Sequence, residues 1–231
     1  MKMEVLILAK THYGQQFLCV GGIVITGGRY VRLLNPEGWY QYPDTEFDVG
    51  SIWDISFTPV KGVRPPHVED VTVLSQSFRK KADNITGLLS EIGIPVWEGS
   101  VDTLFEGLLL WTGGGAGYIN EENGIPANSV GFWMPDRDLP RHVMAGERSD
   151  GEIYTSVRYF YQAGSVCRNL PYKGCSRPMK VIPAGTLVRV SLAKWWDTHG
   201  TTEARCALQL SGWYEVEEER DPDREDVVMP F

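Results

Sequence analysis

The chain contains Val49-Gly50-Ser51-Ile52-Trp53-Asp54-Ile55-Ser56-Phe57, which aligns without gaps on a later stretch, Ala184-Gly185-Thr186-Leu187-Val188-Arg189-Val190-Ser191-Leu192. In each copy a glycine and a hydroxyl residue precede a clean alternation, typical of a strand leaving a tight corner of a small β-barrel. The inward triplets correspond, with Trp53, Ile55 and Phe57 matching Val188, Val190 and Leu192. Two copies about 135 residues apart predict two similar β units.

Patterns on either side of the two copies extend this interpretation. Runs of β-branched and aromatic residues predict strands over residues 5–9, 17–25, 29–34, 68–74, 130–134, 153–162 and 205–216. The pair Gly27-Gly28 predicts a tight hairpin turn. Helix-spaced apolar residues predict helices over 83–92 and 100–110, the second with Ser100 as its N-cap. The glycine run at 113–117 follows a helix and has no lysine after it, so we interpret it as a flexible connector.

These patterns predict a mainly β fold with a helical insert and two small β-barrels. The first barrel is expected over residues 1–78, a helical and loop insert over 79–127, and the second barrel over 128–216. Residues 217–231 form an acidic C-terminal tail.

The net charge of −8 is unevenly distributed along the chain. Residues 215–226 hold eight acids and two bases, whereas residues 163–214 hold seven bases and two acids. A locally basic segment therefore ends in an acidic tail, which by default is a solvated stretch that aids solubility. The overall charge neither supports nor excludes an anionic ligand.

The sequence also predicts where the protein resides. We expect no membrane span, because no apolar run approaches roughly 20 residues. The first residues are too short and too polar for a signal peptide, and the four cysteines contain no Cys-x-x-Cys pair. We therefore predict a cytoplasmic protein without a cofactor or metal site.

Three stretches resemble the dual OB-containing domain family. They are Cys19 to Leu34; Val49 to Phe57 with Pro65-Pro66-His67-Val68-Glu69-Asp70-Val71; and Gly185 to Trp196 with Arg205 to Tyr214. The resemblance implies two OB-like barrels and a bacterial setting, near anti-phage defence or nucleic-acid-processing genes. It implies no established activity or catalytic residues.

OB barrels bind oligonucleotides or oligosaccharides on one sheet face, where cations meet phosphates and exposed rings stack on bases. Period-two counting places Arg189 and Trp195 on an outward face, and Tyr30 and Arg32 on another. The predicted ligand-binding residues are Tyr30, Arg32, Trp39, Arg189, Lys194, Trp195, Trp196 and Arg205. The alternative is that these rings plug the barrel ends or the seam between the barrels.

His67, Glu69 and Asp70 are the candidate catalytic residues if the protein is an enzyme, because His67 and Glu69 share a face of an extended segment. The alternative is that His67 and Asp70 anchor the turn after Pro65-Pro66 through hydrogen bonds.

We predict a binding module for single-stranded nucleic acid or a nucleotide, acting in a bacterial system such as antiviral defence, rather than a self-contained enzyme. Two alternatives stay open: an enzyme acting on nucleic acid or nucleotide through His67, Glu69 and Asp70, and an adaptor that binds a protein partner encoded by a neighbouring gene.

Overall fold

The computed structural model describes residues 2–14, 16–147, 151, 153–197 and 203–214. The first five strands close into a barrel in the order β1-β2-β3-β5-β4. They are β1 (Met3–Tyr13), β2 (Phe17–Val24), β3 (Tyr30–Leu34), β4 (Ser51–Pro59) and β5 (Asp70–Lys81). All neighbours are antiparallel except β3 and β5, which run parallel. The predicted hairpin joins β2 to β3, and Gly27 and Gly28 both adopt positive φ.

The middle of the chain contains more β structure than predicted. After β5 come α1 (Ile85–Ile92), β6 (Val96–Gly99), a 3₁₀ segment (Val101–Gly107), β7 (Leu110–Trp111) and β8 (Gly117–Asn120). The three strands, each of two to four residues, pair with the sheet that follows rather than standing apart as an insert. Strands this short carry too little periodicity to be recognised from sequence.

One of the two predicted helices forms and the other does not. Asn84 caps α1 by accepting a hydrogen bond from the Gly87 amide, and Gly93 ends it at φ 74°. Ser100 caps the second segment as predicted, but Phe105 (φ 51°) and Glu106 (φ 58°) break the helix. Phe105 is fully buried in the core of the second unit, so tertiary packing overrides the helical pattern.

The second unit repeats the strand order of the barrel. Its strands are β9 (Val130–Pro135), β10 (Leu139–Glu147), β11 (Ile153–Ala163), β12 (Val166–Pro171), β13 (Val181–Ile182), β14 (Leu187–Leu192), β15 (Trp196–Asp197) and β16 (Ala204–Tyr214). β9 and β10 together take the place of β1, since β9 pairs with β14 and β10 pairs with β11. β11, β12, β14 and β16 then correspond to β2, β3, β4 and β5. The parallel contact of β3 with β5 is reduced here to one bridge between Tyr172 and Leu210.

The gapless alignment of the two copies is confirmed by their pairing. Trp53 lies opposite Val5, and its counterpart Val188 lies opposite Trp133. Gly50 and Gly185 both adopt positive φ, at 83° and 76°. The Gly50 amide donates to the Ile7 carbonyl, and the Gly185 amide donates to the Pro135 carbonyl at the equivalent place. Each glycine thus allows the same turn at the same corner.

Three apolar clusters hold the fold. One fills the barrel and includes the predicted triplet Trp53, Ile55 and Phe57; another fills the second unit and includes Val188, Val190 and Leu192. The third lies between the two units beneath α1, and its buried members are Leu6, Leu8, Ile23, Tyr30, Ile52, Leu89, Phe132 and Tyr214. The mainly β fold class is confirmed, and the two units share a continuous apolar contact.

Candidate functional site

The loops between the fourth and fifth strands of the two units meet at the seam between them. In the barrel this loop spans residues 60–69, and in the second unit it begins at residue 193. The indole of Trp195 donates a hydrogen bond to the Pro65 carbonyl at 2.7 Å. The Arg64 guanidinium lies 4.3 Å from the centre of the Trp195 ring. The segment around Pro65-Pro66 and the Trp195-Trp196 segment, both of which carry the family resemblance, therefore contact each other across the seam.

Asp70 links the two units through charge. Its carboxylate accepts from Arg32 of β3 on one side and from Lys194 on the other, the latter at 2.8 Å. The side chains of Asp70 and Arg32 are 8% and 12% exposed, so this pair is largely desolvated. Burial lowers the pKa of Arg32, but the neighbouring Cys19 and Asp70 together outweigh it, so the net shift is upward.

Glu69 and His67 also make their contacts across the seam. The two carboxylate oxygens of Glu69 accept from the amide and the hydroxyl of Ser129, at 2.6 and 2.9 Å. Nε2 of His67 lies 3.6 Å from the thiol sulfur of Cys206 on β16. We expected His67 and Asp70 to anchor their own turn, but their partners belong to other strands, including strands of the second unit.

The surroundings of His67 keep its imidazole neutral. Burial, followed by the nearby charges of Arg32 and Lys194, lowers the pKa of His67 to about 3. A general base works best with a pKa near the operating pH, and Glu69 and Asp70 already have partners. The geometry therefore favours a structural role for the three candidate catalytic residues.

Arg189 and Tyr30 lie on outward faces of their own strands, as period-two counting predicts, but neither reaches solvent. Arg189 is 5% exposed because β2 of the barrel covers it. The Tyr30 ring packs 6.2 Å from that of Phe132, and burial raises its pKa. The expected exposed ligand contacts at these two residues are replaced by contacts within the protein.

The remaining predicted residues lie at two exposed places. Trp39 is 50% exposed and contacts the rings of Tyr13, Phe17 and Tyr40 at the end of the barrel. Trp196 is 54% exposed and lies opposite Arg205 in the ladder of β15 and β16. Arg205 pairs with Glu203 at 2.6 Å and covers the Tyr118 ring. The eight predicted binding residues thus do not form one site.

The faces of the second and third strands differ between the units. In the barrel this outer face carries Cys19, Gly21 and Arg32, and these residues line a small cavity closed by the second unit. In the second unit the outer face carries His142, Arg158 and Phe160, opposite in parity to the buried Tyr159 and Tyr161. The His142 and Phe160 rings lie 4.5 Å apart. We call His142, Met144, Tyr154, Arg158 and Phe160 the open face.

A sequence profile of the dual OB-containing domain matches residues 3–213. The chain belongs to the dual OB-containing domain family. No curated protein matches it. A solved mouse DNA-binding protein, bound to double-stranded DNA, is similar at 12% identity and a TM-score of 0.32. That alignment covers 97% of this chain and 99% of the other, but so low a score does not indicate a shared fold.

Sequence reasoning missed the open face of this dual OB chain, although a signal was present. Residues 153–196 contain no aspartate or glutamate and hold seven bases: Arg158, Arg168, Lys173, Arg177, Lys180, Arg189 and Lys194. This run covers strand β11, which carries Tyr154, Arg158 and Phe160 of the open face. A count over a window matched to this run would have pointed to that face.

The barrel of the dual OB chain presents the opposite charge. The loop over residues 35–48 holds four acids and no base, and it borders a groove of about 510 Å³. Tyr42, 53% exposed, lines the same groove. Such a groove repels phosphates, so exposed rings at this end do not make a nucleic-acid site.

Two further properties concern metals and membranes. Within the described ranges, no three His, Cys, Asp or Glu side chains lie close enough together to hold a metal ion. Among the described helices, none has the length and apolar character to cross a bilayer.

Proposed function

We propose that this dual OB chain is a nucleic-acid-binding module that binds single strands on the open face. The observation that carries the proposal is the contrast between the units. OB barrels bind oligonucleotides on the face of strands 2 and 3; that face is sealed in the barrel, whereas Tyr154, Arg158 and Phe160 on the second strand of the second unit are exposed or half-buried.

The chemistry of the open face suits a single strand. Tyr154 and Met144 are 43% and 46% exposed, and the half-buried Phe160 lies on the same side of β11 as Tyr154. Bases stack on such rings with about 1–3 kcal/mol each. Arg158, half-buried on this face, supplies the cation for a phosphate, and its Nη1 is held in place by Asn169.

The β10–β11 hairpin extends the open face beyond the body of the protein. It occupies the position of the first-to-second strand loop, which OB barrels use for binding. A Cβ at Gly146 would lie 2.6 Å from the Tyr154 ring, so the ring packs over the glycine backbone. The absence of a side chain at Gly146 therefore leaves the space that the Tyr154 ring occupies on this face.

A specific observation favours a second candidate, a protein partner for the other side of the hairpin. Val143 and Ile153 lie on the side of the hairpin opposite the open face and are 59% and 75% exposed. Exposed apolar residues on a sheet face are typical of interaction surfaces. The bacterial defence setting is the part of the proposal that rests on the family resemblance alone.

Fluorescence anisotropy with a labelled single-stranded oligonucleotide tests the proposal. We expect Phe160→Ala to weaken binding roughly 5- to 100-fold through lost stacking. Arg158→Ala should weaken it about tenfold at low salt and less as salt rises, because a phosphate contact is lost. Trp39→Ala and Arg29→Ala remove an exposed ring and an exposed cation from the barrel and should leave binding unchanged.

Two results would contradict the proposal. Wild-type protein that binds no oligonucleotide at low salt removes the function altogether. Loss of binding in Trp39→Ala, with no loss in Phe160→Ala, would move the site to the barrel.

A further inference from the structure

A cavity of about 40 Å³ lies in the seam, between β2 and β3 of the barrel and β14 and β16 of the second unit. Its polar lining comes from Thr11, Arg32, Glu69, Ser129, Arg189 and Gln209. A cavity of this size holds roughly three water molecules, or one small ion of comparable bulk. Nothing in the binding function proposed above uses it.

Arg189 is the unusual member of this lining. Its side chain is 5% exposed, and its Nε has no hydrogen-bond partner. Across the described ranges, no carboxylate forms an ion pair with its guanidinium. A Cβ at Gly21 would lie 2.6 Å from Nη2, so the guanidinium packs directly on the backbone of β2. An arginine held this way is fixed in place without a counterion.

The charges around the cavity are not all paired. The carboxylate of Asp70 pairs with both Arg32 and Lys194, and the carboxylate of Glu69 accepts from Ser129. Lys194 is 40% exposed, so water screens its charge, and the imidazole of His67 is neutral at pH 7. Arg189 is thus a shielded cation that lacks an ion-pair partner among the described residues, and such an uncompensated charge is strongly unfavourable.

We propose that the cavity binds hydrogen phosphate, with the guanidinium of Arg189 as its main ligand. A guanidinium donates two parallel hydrogen bonds to an oxyanion, and Arg32, whose guanidinium pairs with Asp70, lies in the same lining. The anion supplies the ion-pair partner that Arg189 lacks.

Glu69 selects the kind of oxyanion. A carboxylate accepts about four hydrogen bonds, and Ser129 supplies two of them. Hydrogen phosphate carries a proton that it donates to Glu69, whereas sulfate carries none at neutral pH and meets only repulsion. The site therefore prefers phosphate to sulfate.

Thermal unfolding of the full chain tests this site, in sodium phosphate, sodium sulfate and sodium chloride of equal ionic strength. At tenfold excess over its dissociation constant, phosphate should raise Tm by about 3–6 °C relative to chloride. Arg189→Met should lose this increment, and Arg29→Met, an exposed arginine of the barrel, should keep it. Equal increments in wild type and Arg189→Met overturn the proposal, and an equal increment in sulfate overturns the assignment to phosphate.

A second pair of variants covers the case in which Arg189→Met fails to fold. Gly21→Ala places a methyl group against Nη2 and should displace the guanidinium, which abolishes phosphate binding measured by calorimetry. Gly212→Ala, where no atom lies within 4 Å of the new Cβ, is the matched control and should bind phosphate at one site per chain. Wild-type protein that takes up no phosphate by calorimetry overturns the proposal.

Discussion

Asp54 of the barrel and Arg189 of the second unit occupy the same position of the repeat, on the outward face of β4 and β14. Asp54 stays half-exposed and lies 3.7 Å from Arg79 on the surface, whereas Arg189 is buried under β2. The same strand position therefore gives a surface ion pair in one unit and a seam contact in the other. A duplicated fold does not duplicate its exposed faces.

The difference follows from which surfaces the two units bury against each other. The barrel contributes Gly21 at the seam, and its lack of a side chain lets the Arg189 guanidinium of the second unit approach the backbone of β2. The second unit has Phe160 and Arg158 at the corresponding strand, and these bulky side chains keep its face uncovered. One unit thus becomes the support and the other keeps the face on which OB barrels bind.

The largest effect is expected from removing the carboxylate that links the two units. Asp70→Ala leaves Arg32 buried without its counterion and frees Lys194, so we expect a loss of about 3–5 kcal/mol in the free energy of unfolding. Urea denaturation measures this loss. Glu121→Ala removes the exposed partner of Arg64 and should cost only about 0–1 kcal/mol. A loss below 1 kcal/mol in Asp70→Ala would mean that the seam is held by apolar contact alone.

Much of the fold could be predicted from the sequence, because apolar and polar residues alternate along a half-buried strand. The matched segments, their inward triplets, the Gly27-Gly28 hairpin and α1 follow from periodicity and turn chemistry. The glycine run was interpreted wrongly as a flexible connector. It joins β7 to β8, and a Cβ at Gly115 would lie 2.5 Å from the Cys167 carbonyl, so its lack of a side chain allows close packing on β12.

The site could be predicted only in part. Alternation separates inward from outward residues, but it does not say whether another unit covers the outward ones. Arg189 and Phe160 are both outward by this rule, yet only Phe160 lies on an uncovered face. His67 and Cys206 are 139 positions apart in the chain, and no local pattern links them.

A second test measures how the buried imidazole of His67 changes the stability of the protein with pH. The pKa of His67 falls from 6.5 to about 3 on folding, so the unfolded chain binds the extra proton between these values. The stabilisation is complete above pH 6.5 and is lost as pH falls toward 3, by an amount on the order of 3 kcal/mol.

His67→Gln cannot take up this proton, so its stability should fall less steeply over the same pH range. Urea denaturation at about pH 7.5, 5.5 and 4 measures the difference in the free energy of unfolding between the two proteins. The carboxylate pairs titrate in both proteins and cancel in the comparison. Parallel curves for the two proteins would place His67 in a site that water reaches.

The smallest expected effect concerns the acidic tail, residues 217–231, which lie outside the described residues. These residues are rich in aspartate and glutamate, and they follow β16. The unit that contains β16 also contains the run over residues 153–196 that has no acidic residue. A tethered acidic segment has a high effective concentration near that surface, set by the short connection. Individual exposed ion pairs are weak, at roughly 0–1 kcal/mol, but several acids acting together compete with phosphates for the same cations.

Deleting residues 217–231 should therefore strengthen single-strand binding by about threefold to tenfold at low salt, and the gain should shrink as salt rises. Titration of both forms against one labelled oligonucleotide at two salt concentrations measures it. Replacing the acids of the tail by their amides keeps its length and should reproduce the gain, because the effect is electrostatic and not steric. Equal affinities at low salt would make the tail a solubility device, and a gain that persists at high salt would instead mean that the tail blocks the open face by its bulk.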